Sequence, residues 1–376
     1  MGAKLKVRLR IPPSRDREWW RGLAKEVLPA YLQTVLAAPW PEVQAALAES
    51  AWVHNNFAED FPPRWHIDPP HLTHARNTLR GKRVTELVEE LNDRAIGIWV
   101  PTDLLTAYGS ATRVRAVAGA KRRLYRTFIT WTENYALCGR VGDRIVGQVL
   151  DDLRGTYLWL PPEHQPGQVR EIGGRAVPFG PLDGTGIWVP DASKPSEGHT
   201  RFGVEVKNTR SILYPYHHEV WDLLGKLVDF PDVVPVLVAR RIHYTTFAFF
   251  QRIGALGIKT HQQWFATSIA EERFKRVVEG LRLADAVQFD PAKPPRGLTK
   301  WFRETGPEQA SVALPKWEKA APILGGYVAL REPGLSSDER QDLWASLVGE
   351  LQLAGILPEP PEVDEVDEPD WDYDDE

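Results

Sequence analysis

The chain has 376 residues and a formal net charge of −5, with 46 Lys and Arg against 51 Asp and Glu. Eleven of those carboxylates fall in residues 358–376, which contain no Lys or Arg, so residues 1–357 carry +6: a basic body with an acidic tail. The length holds two or three domains, each able to bury a core, and the single cysteine, Cys138, excludes an intramolecular disulfide and a Cys-x-x-Cys zinc site.

Residues 3–11 alternate Lys4, Lys6, Arg8 and Arg10 with Leu5, Val7, Leu9 and Ile11, which predicts a strand with one cationic and one apolar face and not a signal-peptide core. No apolar run approaches the ~20 residues that cross a bilayer, so no membrane partner and a cytoplasmic location are expected. One methionine, Arg in excess of Lys and 31 prolines fit a GC-rich prokaryotic composition. Residues 1–130 read as a mainly helical, basic domain whose tryptophans (Trp19, Trp20, Trp40, Trp52, Trp65, Trp99) are better explained as core than as base-stacking platforms. Val84 to Leu91 reads as a helix. A second helix, opened by Ser110 or Thr112, gathers Arg113, Arg115, Lys121, Arg122, Arg123 and Arg126 around Tyr125 and Phe128, a pattern suited to contacting phosphates in nucleic acid, most readily DNA. A solvated charged face explains the same pattern.

Residues 131–266 carry the chemistry. Val141, Ile145, Val146, Val149, Leu150 and Leu153 recur at helical spacing, with Asp143 on that helix. Thr156 to Leu160 and Ala176 to Phe179 read as short strands. Phe202, Val204 and Val206 then alternate with Glu205 and Lys207, placing a carboxylate and an ammonium together on one strand face, while Asp183 lies on the strand before. Asp191, after Pro190, is a second upstream carboxylate that could join Glu205 in place of Asp183 as a ligand for a hard divalent cation. If Gly186 to Pro190 pairs with Arg201 to Asn208 about a loop at Asp191 to Thr200, then Asp183 to Gly186 lies opposite Glu205 to Asn208. Asp191 would fall at the turn, about 13 Å away along the strand, beyond the reach of a ~2.3 Å metal–oxygen bond. Glu219 to Phe230 forms an amphipathic helix, Val233 to Val238 a strand covered on both faces, and Phe247 to Leu256 a short helix closed by Gly257. Residues 267–357 look helical, at Ala270 to Leu283 and Ser336 to Leu353. Residues 358–376 are expected to be disordered and either to contact a basic surface or to act as a solubiliser. No phosphate-cradling Gly-rich loop, Gly-x-Ser-x-Gly elbow or His-Glu-x-x-His motif is present. His217 and His218 follow the Glu-x-Lys strand and read as surface or helix-start residues.

Asp183 followed by Glu205-Val206-Lys207 resembles the signature of the PD-(D/E)XK nucleases, the restriction-endonuclease-like superfamily, over residues about 135–265. The resemblance implies an α/β fold in which a restriction-endonuclease-like mixed sheet core is flanked by helices, here with mainly helical N- and C-terminal regions. It implies Asp183, Glu205 and Lys207 as catalytic residues. Mg²⁺ or Mn²⁺ would be held by Asp183, Glu205 and the Val206 carbonyl, with Asp143 as a further ligand from the leading helix. A metal-dependent deoxyribonuclease of restriction, defence, repair or recombination type is the resulting expectation, and a second copy or a protein partner in a larger complex is compatible with it. A non-cleaving nucleic-acid-binding or assembly subunit on the same scaffold is the alternative.

Overall fold

The computed structural model describes residues 16–358 apart from 64, 92–93, 108, 162–166, 190–198 and 291–292. The strand expected over residues 3–11, the rival carboxylate Asp191 and the acidic tail from residue 359 lie outside the described residues. In chain order the elements are α1 (Arg17–Val35), α2 (Trp40–Leu47), α3 (Trp52–Asn56), α4 (Pro69–Leu79), β1 (Val84–Leu91), β2 (Arg94–Pro101), α5 (Thr102–Thr106) and α6 (Ala111–Glu133). There follow α7 (Gly139–Leu153), β3 (Leu158–Trp159), β4 (Glu171–Ile172), β5 (Arg175–Ala176), β6 (Gly184–Trp188), β7 (Thr200–Leu213), α8 (His218–Leu227), β8 (Val233–Ile242), α9 (Tyr244–Ile253), β9 (Leu256–Lys259) and β10 (Gln263–Phe265). The chain continues through α10 (Glu271–Gly280), β11 (Ala286–Gln288), α11 (Arg296–Lys300), α12 (Gly306–Leu324) and α13 (Ser337–Leu353). Two packed units result: residues 1–133 with 269–286, and residues 134–268 with 287–376. The stretch 267–357, read in sequence as one helical region, is thus shared between them.

The first unit is mainly helical. Its core takes in Trp40 and Trp99, with Trp19, Trp20, Trp52 and Trp65 packed against it, so all six tryptophans pack. Val84–Leu91 is a strand and not the helix its periodicity suggests. It pairs antiparallel with β2 from Val84↔Pro101 to Leu91↔Arg94. The competing signal is Ala95-Ile96-Gly97-Ile98-Trp99-Val100, a β-favouring run that supplies a ladder to a segment whose own propensity is ambiguous.

The second unit is built on a mixed five-stranded sheet in the order β3-β6-β7-β8-β9, antiparallel from β3 to β7 and parallel from β7 to β9. Strand β8 lies inside it and is buried along nearly its whole length. Val234, Val236 and Val238 join a core with α7, whereas Val233, Leu237 and Ala239 join one with α8, α9, α12 and α13. The sequence places a helix over 247–256, but Gly254 ends α9 in a left-handed conformation (φ 82°) and Leu256–Lys259 becomes the edge strand β9. Helix α8 presses Val220, Trp221, Leu223, Leu224 and Leu227 into the core. Each such side chain contributes about 1.5–3 kcal/mol, so Leu224→Ala would loosen the helix at a cost of roughly 2–5 kcal/mol.

Candidate active site

Strand β7 carries Glu205 and Lys207, and β6 sets the register that brings Asp183 to them. The ladder runs Trp188↔Thr200, Gly186↔Phe202 and Gly184↔Val204, which puts Asp183 beside Glu205. The register is displaced by three residues from the one expected, in which Asp183 faces Asn208, because Thr200 already belongs to the strand. Asp183 continues the pairing through its own N–H to the Val204 carbonyl (3.0 Å), and its Oδ2 accepts the Val206 N–H at 2.6 Å. Just beyond Lys207 the β7–β8 pairing is interrupted before it resumes at Ile212, an irregularity of the kind that re-aims side chains next to sites.

Asp143 is brought in from α7. Gly142 makes this approach close: a Cβ there would lie 2.9 Å from Val206 Cγ1 and 3.1 Å from Asn208 Cβ. On the other side Gly167 (φ 74°) donates its N–H to the Asp183 carbonyl, and a Cβ on it would stand 3.2 Å from Asp143 Oδ2. Asp143 is buried and accepts a 2.5 Å hydrogen bond from the Tyr135 hydroxyl. Asn208 pins the assembly: its Nδ2 donates to the carbonyls of Cys138 and Trp264 (2.8 and 2.7 Å), and its Oδ1 accepts the Trp264 N–H (2.9 Å).

Two residues from α8 complete the cluster. Lys207 Nζ lies 2.9 Å from Glu205 Oε1 and 2.6 Å from Asp222 Oδ2, while Lys226 Nζ lies 2.8 Å from Glu205 Oε2 and 3.3 Å from Asp222 Oδ2. Among the described residues, four carboxylates therefore face two ammonium groups in a largely buried space, with the exposed Arg140 guanidinium acting on Asp143 as well. Burial, then the charges of Glu205 and Asp143, push the Asp183 pKa well above the usual carboxylate range. Burial also raises Glu205, against the pull of Lys207 and Lys226, and Asp143, against the Tyr135 hydrogen bond and Lys207. For Lys207, burial is outweighed by Glu205 and Asp222, which hold it firmly protonated. Asp222 is driven below its ordinary value, because Lys207 and Lys226 outweigh its burial. The Tyr135 hydroxyl is pushed up to about 12 by burial and its bond to Asp143.

Asp143, Asp183 and Glu205, with the Val206 carbonyl, are the all-oxygen donors that a hard divalent cation takes, and their excess negative charge suits one. Among the described residues, no three or more His, Cys, Asp or Glu side chains converge on a single ligation point: Asp183 is turned to the Val206 N–H, and both Glu205 oxygens hold lysines. Tyr135, Asn208, Asp222 and Lys226 escaped the sequence reading. The last two had a signal: Asp222 and Lys226 stand at i,i+4 inside the apolar run of α8, where a lysine among Leu223, Leu224 and Leu227 calls for a buried partner.

The cationic residues of α6 divide. Arg113, Arg115 and Arg123 are exposed, and Arg126 is half-buried. Lys121 instead bonds both oxygens of the fully buried Glu42 (2.7 Å each) and the Gly280 carbonyl, and Arg122 Nη2 donates to the Leu87 carbonyl at 3.0 Å. His218 starts α8 with its Nδ1 3.3 Å from Glu219. Among the described residues no helix is long and apolar enough to cross a membrane. Comparison with protein-family models, with curated proteins and with solved structures returned no match.

Proposed function

We propose that this chain is a metal-dependent endonuclease of the PD-(D/E)XK type that hydrolyses phosphodiester bonds in DNA, in a restriction, defence, repair or recombination setting. One observation carries the reading: Asp183, immediately before β6, stands beside Glu205 of the antiparallel β7 and next to Lys207, in a cluster with more buried negative charge than its lysines balance. Keeping unneutralised carboxylates together is costly without a cation, and perturbed groups of this kind mark functional sites. The order α7, β3, β6, β7, α8, β8 supports a restriction-endonuclease-like core.

Asp183 and Glu205, with the Val206 carbonyl and Asp143 in support, would hold one Mg²⁺ or Mn²⁺, which supplies neutralisation of phosphate charge and activation of water. Lys207 acts as an ammonium and not as a base, since Glu205 and Asp222 keep its proton on. It orients the attacking water and places positive charge beside the phosphate. Tyr135 fixes one oxygen of Asp143, and the Val206 N–H fixes one oxygen of Asp183. The exposed Arg113, Arg115 and Arg123 are available to grip the nucleic-acid backbone.

A second reading, a binding or assembly subunit that does not cut, is favoured by one feature: both Glu205 oxygens are held by lysines. Incubating supercoiled plasmid and linear single strands with the protein in Mg²⁺, Mn²⁺ or EDTA separates the two. Metal-dependent cleavage lost in Glu205→Ala supports the nuclease, and binding without cleavage under every condition supports the subunit.

A further inference from the structure

Lys226 has no part in the chemistry above, yet it is 5 % exposed and sits between Glu205 and Asp222. Its ammonium takes one oxygen of Glu205 while Lys207 takes the other, so a divalent cation seated on Glu205 competes with an ammonium for a carboxylate oxygen. The two lysines differ in how readily they can yield. Lys207 is rooted two residues from Glu205 on the same strand. Asp222 Oδ2 is a second acceptor for both, 2.6 Å from Lys207 and 3.3 Å from Lys226, but only Lys226 reaches in from α8, with that oxygen one helical turn back on its own helix. Leaving Glu205 for Asp222 requires only a side-chain rotation and keeps the buried charge paired.

Resting on the reading of Glu205 as a cation ligand, we propose that Lys226 is a built-in competitor: it holds Glu205 Oε2, yields that oxygen to an incoming divalent cation, and is received by Asp222. Lys226 and Asp222 are thus positioning residues that set cation affinity through Glu205. The two side chains then have opposite effects on binding. Removing the competitor tightens it, and removing the receiving carboxylate weakens it, because Lys226 is left with Glu205 alone. A purely structural pair would weaken it in both variants.

The test is a Mn²⁺ titration of the full chain, followed by the electron paramagnetic resonance of free Mn²⁺, in the wild type, Lys226→Met and Asp222→Asn. The inference expects Lys226→Met to bind about tenfold more tightly and Asp222→Asn about tenfold more weakly, each a change of about 1.4 kcal/mol. Lys226→Met binding as the wild type or more weakly overturns it. If Lys226→Met does not fold, Lys226→Gln takes its place: tighter binding than the wild type supports the inference, and unchanged or weaker binding overturns it. A wild type that binds no Mn²⁺ overturns the cation-site reading itself, whereas wild-type binding with both variants unchanged overturns only the competitor role.

Discussion

Each unit of this chain buries lysines against carboxylates, and the two clusters are built differently. In the first, Glu42 is fully buried and has both oxygens on Lys121, a Tyr31 hydroxyl at 3.2 Å and Arg282 at 3.9 Å, while Lys121 also donates to the Gly280 carbonyl. The one carboxylate meets two cations, Lys121 in full and the half-exposed Arg282 beside it, so no negative charge is left over and every close group has a partner. In the second, Asp143, Asp183, Glu205 and Asp222 lie around Lys207, with Lys226 against the last two, and Asp183 is bonded only to a backbone N–H beside two neighbouring negative charges. A matched pair ties elements together, whereas an unmatched cluster stores unfavourable charge that a ligand can relieve. Burial alone does not distinguish a site from a strut; charge balance does.

The comparison breaks most visibly in activity. Asp183→Ala, Glu205→Ala and Lys207→Ala should each lower cleavage by about a thousandfold or more while DNA affinity changes little. Lys121→Met should leave the rate per folded molecule unaltered. Plasmid digestion beside gel-shift binding checks both, and full activity in any of the first three removes that residue from the mechanism.

Stability reverses the ranking. Lys121→Met strands Glu42 without its buried partner and should cost about 3–5 kcal/mol in denaturant unfolding, with part recovered by adding Glu42→Gln. A loss under about 1 kcal/mol would mean that water reaches Glu42.

On α6 the same logic separates neighbours in sequence. Replacing the exposed Arg113, Arg115 and Arg123 together by Ala should weaken DNA binding about tenfold and flatten its salt dependence by roughly one unit for each phosphate left without its cation. Lys121→Met should leave that slope alone, and an unchanged slope in the triple variant would move the nucleic-acid surface elsewhere.

The smallest effect sharpens the idea of stored charge. Folding raises the Asp183 pKa, so the folded chain holds that proton more tightly than the unfolded one. The group's contribution is best below the unfolded value of about 3.9 and declines as pH rises through the folded pKa. Asp183→Asn keeps an acceptor for the Val206 N–H and removes the ionisation. It should raise the melting temperature by about 2–4 °C at pH 7, the shift expected for roughly 1 kcal/mol, with the gain vanishing near pH 4. A lower melting temperature at pH 7 would place the stored charge elsewhere.

Much of the second unit was legible because its signals are local. The apolar spacing of α7, the alternation around Glu205 and the unbroken run in β8 each specify an element within a dozen residues. What escaped depends on distant partners. Val84–Leu91 becomes a strand because β2 pairs with it, and the register at Asp183 is set by where Thr200 joins the ladder. Lys121 turns inward because the buried Glu42, 79 residues away, takes its ammonium with both oxygens. Asp222 and Lys226 lay in plain view on an amphipathic helix, but their meaning comes from Glu205, 21 residues before Lys226.

The account stands on the unmatched carboxylates taking up a divalent cation, and calorimetric titration of Mn²⁺ into the wild type, Asp183→Asn and Glu205→Gln measures that directly. Saturable binding to the wild type, lost or weakened at least tenfold in both variants, is the predicted result. No saturable binding to the wild type, or equal binding by all three proteins, would contradict it.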